Sequence, residues 1–165
     1  MMDKKPLRRE EFQHHIEVHV AGLCFKEEDN QLYILAGKRK KDREIYPGLW
    51  EFGGGQVHKG ETFEEAIKRQ LQEEFGIQAE VLMIFGTYKI PPRGERPLIP
   101  GLRFICYCVD DSCLKEESAE HDIIKWIPVE EIDKYQFIPG LKEEARLAIQ
   151  QFRESFVEAK DCKKN

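Results

Sequence analysis

The sequence predicts a mixed α/β or α+β fold, one sheet covered by helices within a single domain. Two observations predict it. Several short runs alternate apolar and polar residues with period two, as half-buried strands do. Two other segments, residues 62–76 and 141–157, switch to a period near 3.6 and read as amphipathic helices. At 165 residues the chain has the length of one domain with tails, and no repeat, low-complexity run or linker divides it.

Residues 15–25 read as the first strand, with Ile16, Val18 and Val20 on one face. A polar turn at residues 26–30 leads into a second strand at 31–36, which makes a hairpin. Residues 38–43 form a basic loop, and Tyr46-Pro47-Gly48 is a turn signal. A short extended piece at residues 50–57 surrounds Gly53-Gly54-Gly55. Thr62 opens the first helix, since Glu65 three residues on completes a capping box. Phe63, Ala66, Ile67, Gln70, Leu71 and Glu74 then recur at helical spacing, and Gly76 closes the helix.

A strand follows at residues 79–90, then a Pro- and Gly-rich loop at 91–101 and a strand at 102–109 rich in aromatic and β-branched residues. A short strand at 123–127, a short helix from 128 to 133 and the long helix at 141–157 complete the pattern. The core is expected to span about residues 15–157, with a short tail at either end. His14, His15 and His19 read as surface or edge-strand residues, Trp50 and Phe52 as core, and Phe137 and Phe152 as core or interface.

The net charge of -5 gives no general attraction to a nucleic-acid polymer or an anionic membrane. No window approaches the roughly 18 apolar residues a transmembrane helix needs. Residues 1–11 are charged and lack the apolar core of a secretory signal, so a cytoplasmic location is expected. Cys24, Cys106, Cys108, Cys113 and Cys162 are odd in number and form no C-x-x-C pair. They read as buried, reduced thiols, with Cys106 and Cys108 on one face of a strand.

The first helix carries the chemistry. Gln70, Glu73 and Glu74 lie three and four positions apart near its C-terminal end and can share a face. Acidic groups there face the negative end of the macrodipole, and a hard cation such as Mg²⁺ or Mn²⁺ would offset the repulsion. The glycine run just before the helix offers bare backbone beside them.

Taken together, residues 55–77, GQVHKGETFEEAIKRQLQEEFGI, resemble the Nudix box, Gly-x5-Glu-x7-Arg-Glu-U-x-Glu-Glu-x-Gly-U, with U a bulky aliphatic residue. Gly55, Glu61, Arg69, Leu71, Glu73, Glu74, Gly76 and Ile77 match, and Gln70 stands where the family has Glu. The preceding GLWEFGGG is similar to the WEFPGG lead-in of the MutT-like branch.

The resemblance implies an α/β/α sandwich with a mixed sheet between helices, and Mg²⁺-dependent hydrolysis (Mn²⁺ as alternative) of a nucleoside diphosphate linked to another group. It implies metal ligands at Glu73, Glu74 and the Gly54 carbonyl, with Arg69 paired to Glu61 as a brace. A further catalytic or metal-binding carboxylate falls to Glu120, with Asp122 as its rival. Arg39 or Lys40 takes the place of a phosphate-binding cation. Gly55, Arg93 and Arg96 are further substrate-binding candidates, and Arg103 lies beside them.

Gln70 cannot accept a proton at neutral pH or balance a cation as Glu does. The alternative to an enzyme is therefore a non-catalytic nucleotide-binding module of the same fold. In Phe137-Ile138-Pro139-Gly140-Leu141, Leu141 occupies the place of the Asn that reads the base in MutT-like enzymes acting on oxidised guanine. That substrate is not expected here. The expected partner is a small nucleotide-like molecule, with the chain a monomer or a homodimer.

Overall fold

The computed structural model describes residues 16–157. The elements run β1 (His19–Glu28), β2 (Gln31–Arg39), β3 (Trp50–Glu51), β4 (Gly53–Gln56), α1 (Phe63–Phe75), β5 (Gln78–Ile90), β6 (Ile99–Asp110) and β7 (His121–Pro128). A 3₁₀ turn (Val129–Lys134), α2 (Leu141–Phe152) and a π turn (Arg153–Val157) follow. The strands make one mixed sheet of seven, ordered β3-β2-β1-β6-β5, with β4 pairing β1 and β7 pairing β2. Only the β1–β6 pair is parallel.

Strand β1 shows how sequence alternation builds the layers. Val20 and Cys24 face α1 and pack with Ile67, Leu71, Phe75, Phe104 and Cys106. Leu23 and Phe25 point the other way, into a cluster with Ile105 and with Ala145, Ala148, Ile149 and Phe152 of α2. Each large apolar side chain buried in this way contributes about 1.5–3 kcal/mol. The sheet is thus sandwiched between α1 and α2, the α/β/α arrangement that the resemblance implied.

Helix α1 is bounded as its sequence dictates. Thr62 Oγ1 accepts from the Glu65 N–H, and the Glu65 carboxylate accepts from the Thr62 N–H. Gly76 ends the helix at φ 77°, a left-handed conformation, with a Cβ there 2.2 Å from the Cys113 carbonyl oxygen. No other residue fits that position.

Several segments depart from the expectation, among them Lys38 and Arg39, which continue β2 instead of opening a loop. Residues 26–28, read as turn, continue β1, and the hairpin turns on Asp29 and Asn30 alone, at φ 50° and 61°. That is the left-handed pair a two-residue hairpin requires. Lys26 of this extension bonds Asp111 at 2.8 Å and lies over the Trp126 ring. Residues 91–98, read as part of an open loop, form the tight end of the β5–β6 hairpin. Arg93 and Arg96 exchange two backbone bonds of 3.0 Å there, and β6 begins at Ile99. The last helix gives way to the π turn after Phe152.

His19 sits on β1, flanked by β4 and β6, and is not an edge residue. Cys24, Cys106 and Cys108 are buried, but Cys113 is exposed because it lies in the connection that passes under Gly76. His14, His15 and Cys162 lie outside the described residues. Trp50, Phe52, Phe137 and Phe152 are core, with the Phe52 and Phe137 rings stacked at 5.2 Å. Among the described residues no helix is long and apolar enough to cross a membrane.

Candidate active site

The site forms where α1 runs back past the glycine strand β4. The Gly54 N–H donates to the Glu74 carboxylate at 3.2 Å. Added side chains would collide at this corner. A Cβ on Gly54 would sit 2.3 Å from the Val20 carbonyl oxygen, and one on Gly55 would sit 2.4 Å from the Gln70 amide. Bare backbone therefore lies directly against the last turns of α1. Burial pushes the Glu74 carboxyl up to about 8, the Gly54 hydrogen bond opposes the shift, and the charges of Glu51, Glu120 and Glu73 add to it. Glu51, Glu120 and Glu73 are each paired with an arginine, and Glu74 has no cationic partner among the described residues.

The brace is in place on the outer side of α1. Arg69 Nε and Nη2 reach the two Glu61 oxygens at 2.5 and 2.9 Å, and Nη2 also donates to the Gln56 carbonyl at 2.9 Å. These bonds, with one from the His58 N–H at 2.8 Å, hold the Glu61 carboxyl down to about 2. The loop between β4 and α1 is thereby fixed to the helix by a fork-to-fork ion pair. The His58 side chain is exposed.

Gln70, Glu73 and Glu74 do not converge on one point. Glu73 is exposed and lies 3.2 Å from Arg69 Nη1. Gln70 is buried under Gly55, and its amide donates to the Gln56 carbonyl at 3.4 Å. Of the two glutamates, Glu74 is the one that bonds to the glycine corner. The one-turn spacing gives a shared side of the helix, and tertiary partners then send each side chain in its own direction.

The contact between Glu51 and His121 was not legible in the sequence. Arg39 Nη1 contacts both Glu51 oxygens at 2.9 Å, and its Nε donates to the Ile45 carbonyl at 3.1 Å. The His121 ring, 1% exposed, lies 3.0 Å from Glu51 and 3.1 Å from Ser118 Oγ. It fills the space beside Gly37, where a Cβ would be 2.5 Å away. Arg39 is therefore engaged inside the molecule. The alternation of β3 could have flagged Glu51 as inward-facing between two glycine-rich turns. Nothing local to His121 marked its partner 70 residues away.

The remaining candidates surround this cluster. Glu120 is ion-paired with Arg43, and its carbonyl accepts from the Lys40 N–H at 3.1 Å. Its rival Asp122 is exposed on β7. Arg93 pairs with Glu44, and Arg96 lies 3.5 Å from Glu17. The Lys40 ammonium has no ion-pair partner among the described residues. Leu141 is buried at the first position of α2.

Among the described residues no three acidic, His or Cys side chains form a ready cation cage. Mg²⁺ does not require one, because it keeps several waters and is held by one or two carboxylates together with substrate phosphates. The donors here are hard oxygens next to glycine backbone, and the Glu74 carboxyl, raised first by burial and then by its acidic neighbours, has no cationic partner among the described residues. In donor type and charge these residues fit a divalent cation.

A profile of the NUDIX domain family matches residues 15–152. The nucleoside triphosphatase NudI of Enterobacter sp. (strain 638) is 39% identical over 62 residues, 38% of this chain and 43% of the relative. The ADP-ribose pyrophosphatase of Methanocaldococcus jannaschii is 32% identical over 105 residues, 64% of this chain and 59% of that protein. The chain thus spans less than two thirds of both relatives. The crystal structure of the MutT protein from Methanosarcina mazei Go1 superposes with a TM-score of 0.63 at 22% identity, covering 84% of this chain and 96% of that one. Fold, box and corner define one class: the chain belongs to the Nudix family, as a MutT-like member.

Proposed function

We propose that this chain is a Mg²⁺-dependent hydrolase, with Mn²⁺ able to substitute, that cleaves the diphosphate of a nucleoside di- or triphosphate or a related nucleoside diphosphate derivative. The observation that carries the reading is the Glu74 carboxyl, seated on the Gly54 N–H in a field of three further carboxylates. Nucleoside triphosphates and ADP-ribose, the substrates named for the two relatives, are the first compounds to try.

Glu74 and the Gly54 carbonyl would hold the cation, joined by Glu73 and Glu120 once these turn from Arg69 and Arg43. When bound it neutralises phosphate oxygens and acidifies a water. The chain's residues do the rest. Arg69 and Glu61 keep the glycine corner fixed against α1. Gln70 supports Gly55 from below, so its amide has a structural task that an ionised Glu could not perform in the same way. Lys40 supplies positive charge for the phosphates, with Arg93 and Arg96 at the hairpin tip and Arg39 orienting the floor through Glu51. Glu120, released from Arg43, accepts the proton of the attacking water.

The test is release of phosphate or pyrophosphate from a panel of nucleoside triphosphates and ADP-ribose with Mg²⁺. Glu74→Gln is expected to lower kcat by about 100-fold or more. A wild-type protein inert across the panel, or a Glu74→Gln variant as fast as wild type, overturns the reading. Tight nucleotide binding without turnover would instead indicate the non-catalytic module.

A further inference from the structure

The sheet register sets a second polar group on the floor next to the glycine corner. Gly54 pairs with Ala21, Ala21 with Arg103, and Arg103 with Gly86, so one row crosses β4, β1, β6 and β5. A Cβ on Gly22 would meet Ile67 of α1, so the neighbouring Ala21 and its row face the α2 side. Strands lie about 4.8 Å apart, which puts Arg103 on the order of 10 Å from Gly54, with Ala21 on the strand between them. That distance exceeds a diphosphate and reaches the group attached to it.

Arg103 is built in and yet incompletely used. Its side chain is 11% exposed, its Cζ lies 4.3 Å over the Tyr88 ring, and its Nε is 2.5 Å from Glu144 of α2. Nε and the Glu144 Oε2 are shut off from solvent and their contact is poorly aligned for a hydrogen bond. The terminal nitrogens donate to no described residue. Nη1 and Nη2, unlike Nε, are not closed off from solvent, so their donors stay open to a ligand. Burial is the main cause that raises the Tyr88 phenol to about 12, and Glu74 adds to it, which sets Tyr88 within electrostatic reach of the corner.

Resting on the hydrolase reading, we propose that Arg103, stacked on Tyr88 and tethered by Glu144, is a specificity-determining residue that donates to an oxygen acceptor of the substrate's nucleoside. Glu144 already balances the guanidinium charge, so the pair favours an uncharged acceptor, a base carbonyl or a sugar hydroxyl, over a further phosphate. The group selects nucleosides from bare polyphosphate.

Arg103→Lys keeps the charge without the fork, and Arg103→Met keeps the packing without the charge. With the nucleotide that the wild type cleaves best, both variants are expected to raise KM about 10-fold or more while kcat stays within about 3-fold. Their affinity for inorganic tripolyphosphate, measured by calorimetry, should match wild type. In EDTA, calorimetry with AMP, GMP, CMP and UMP gives a readout independent of turnover. At least one should bind wild type, and both variants should lose that binding while their melting curves stay cooperative. If the wild type cleaves nothing but binds a monophosphate through Arg103, the hydrolase reading fails and this assignment stands. Unchanged KM and monophosphate affinity in both variants, an equal loss of tripolyphosphate binding, or no monophosphate binding by wild type overturns it. Should Arg103→Met not fold, Arg103→Lys decides alone.

Discussion

The Glu74 carboxylate accepts a hydrogen bond from the Gly54 N–H across the junction of α1 and β4. The bond fixes the carboxylate at the corner but does not balance its charge, since burial and Glu51, Glu120 and Glu73 raise the group from 4.5 to about 8. The metal-free fold thus favours the protonated acid. That contribution is complete below 4.5 and is lost as pH rises through about 8. In EDTA at pH 8.5 or above, Glu74→Gln should be the more stable protein by about 1 kcal/mol or more, roughly 2–4 °C in Tm. Thermal melts over this pH range check it, and a variant less stable than wild type at high pH contradicts it. Mg²⁺ should raise the Tm of wild type more than that of the variant.

Glu61 obeys the opposite sign. Arg69 and the His58 N–H hold its carboxyl near 2, below the ordinary 4.5, so its contribution is present above 4.5 and disappears as pH falls toward 2. Glu61→Gln should therefore be less stable than wild type at neutral pH, and the gap should close on acidification. Paired melts at pH 7 and pH 3 measure this; a gap that stays constant would separate the pairing from the stability difference.

The capping box of α1 is local and far from the charge cluster. Thr62→Ala removes the acceptor for the Glu65 N–H and should cost about 1 kcal/mol, roughly 2–4 °C in Tm. Because the remaining contacts still seat α1, turnover measured well below the melting transition should not change. A loss of kcat there would mean that the helix start is not independent of the site.

What the sequence made legible was whatever is written in short-range pattern. Thr62, Glu65 and Gly76 bound α1 where the cap residues stand, and the alternation in β1 sorts Val20 and Cys24 from Leu23 and Phe25. The Arg69–Glu61 pair, expected from the box, is present. The directions of Gln70, Glu73 and Glu74 were not legible. They depend on partners reached through folding, at Gln56, Arg69 and Gly54. The Glu51–His121 contact was not legible for the same reason: it joins β3 to β7, 70 residues apart. The Pro-rich segment hid a hairpin because Gly94 supplies a tight turn between two arginines that pair backbone to backbone.

Arg43 occupies Glu120, so a cation recruiting Glu120 must displace a guanidinium. Both side chains are 41% exposed, which limits the pair to about 1 kcal/mol at most. Arg43→Ala should lower the half-saturating Mg²⁺ concentration by about 2–5-fold, read by titrating Mg²⁺ against Tm or against turnover. A weaker Mg²⁺ response in the variant would show that Arg43 aids binding of the metal-phosphate complex instead of competing with it.

Gln70→Glu tests why this chain departs from the box. The Gln70 amide donates to the Gln56 carbonyl beneath Gly55, and an ionised Glu in the same place would face that carbonyl with no proton to give. It would also add a carboxylate four residues before Glu74 and close to its helix face. In EDTA at neutral pH the variant should lose about 1–3 kcal/mol, because a buried acceptor meets a buried acceptor. Saturating Mg²⁺ should recover part of the loss if the new carboxylate can swing to the cation, so the difference between EDTA and Mg²⁺ melts is the measurement to make. A variant as stable as wild type in EDTA would mean that Gln70 is not held by Gln56. The departure from the box would then need a cause outside the packing of the glycine corner.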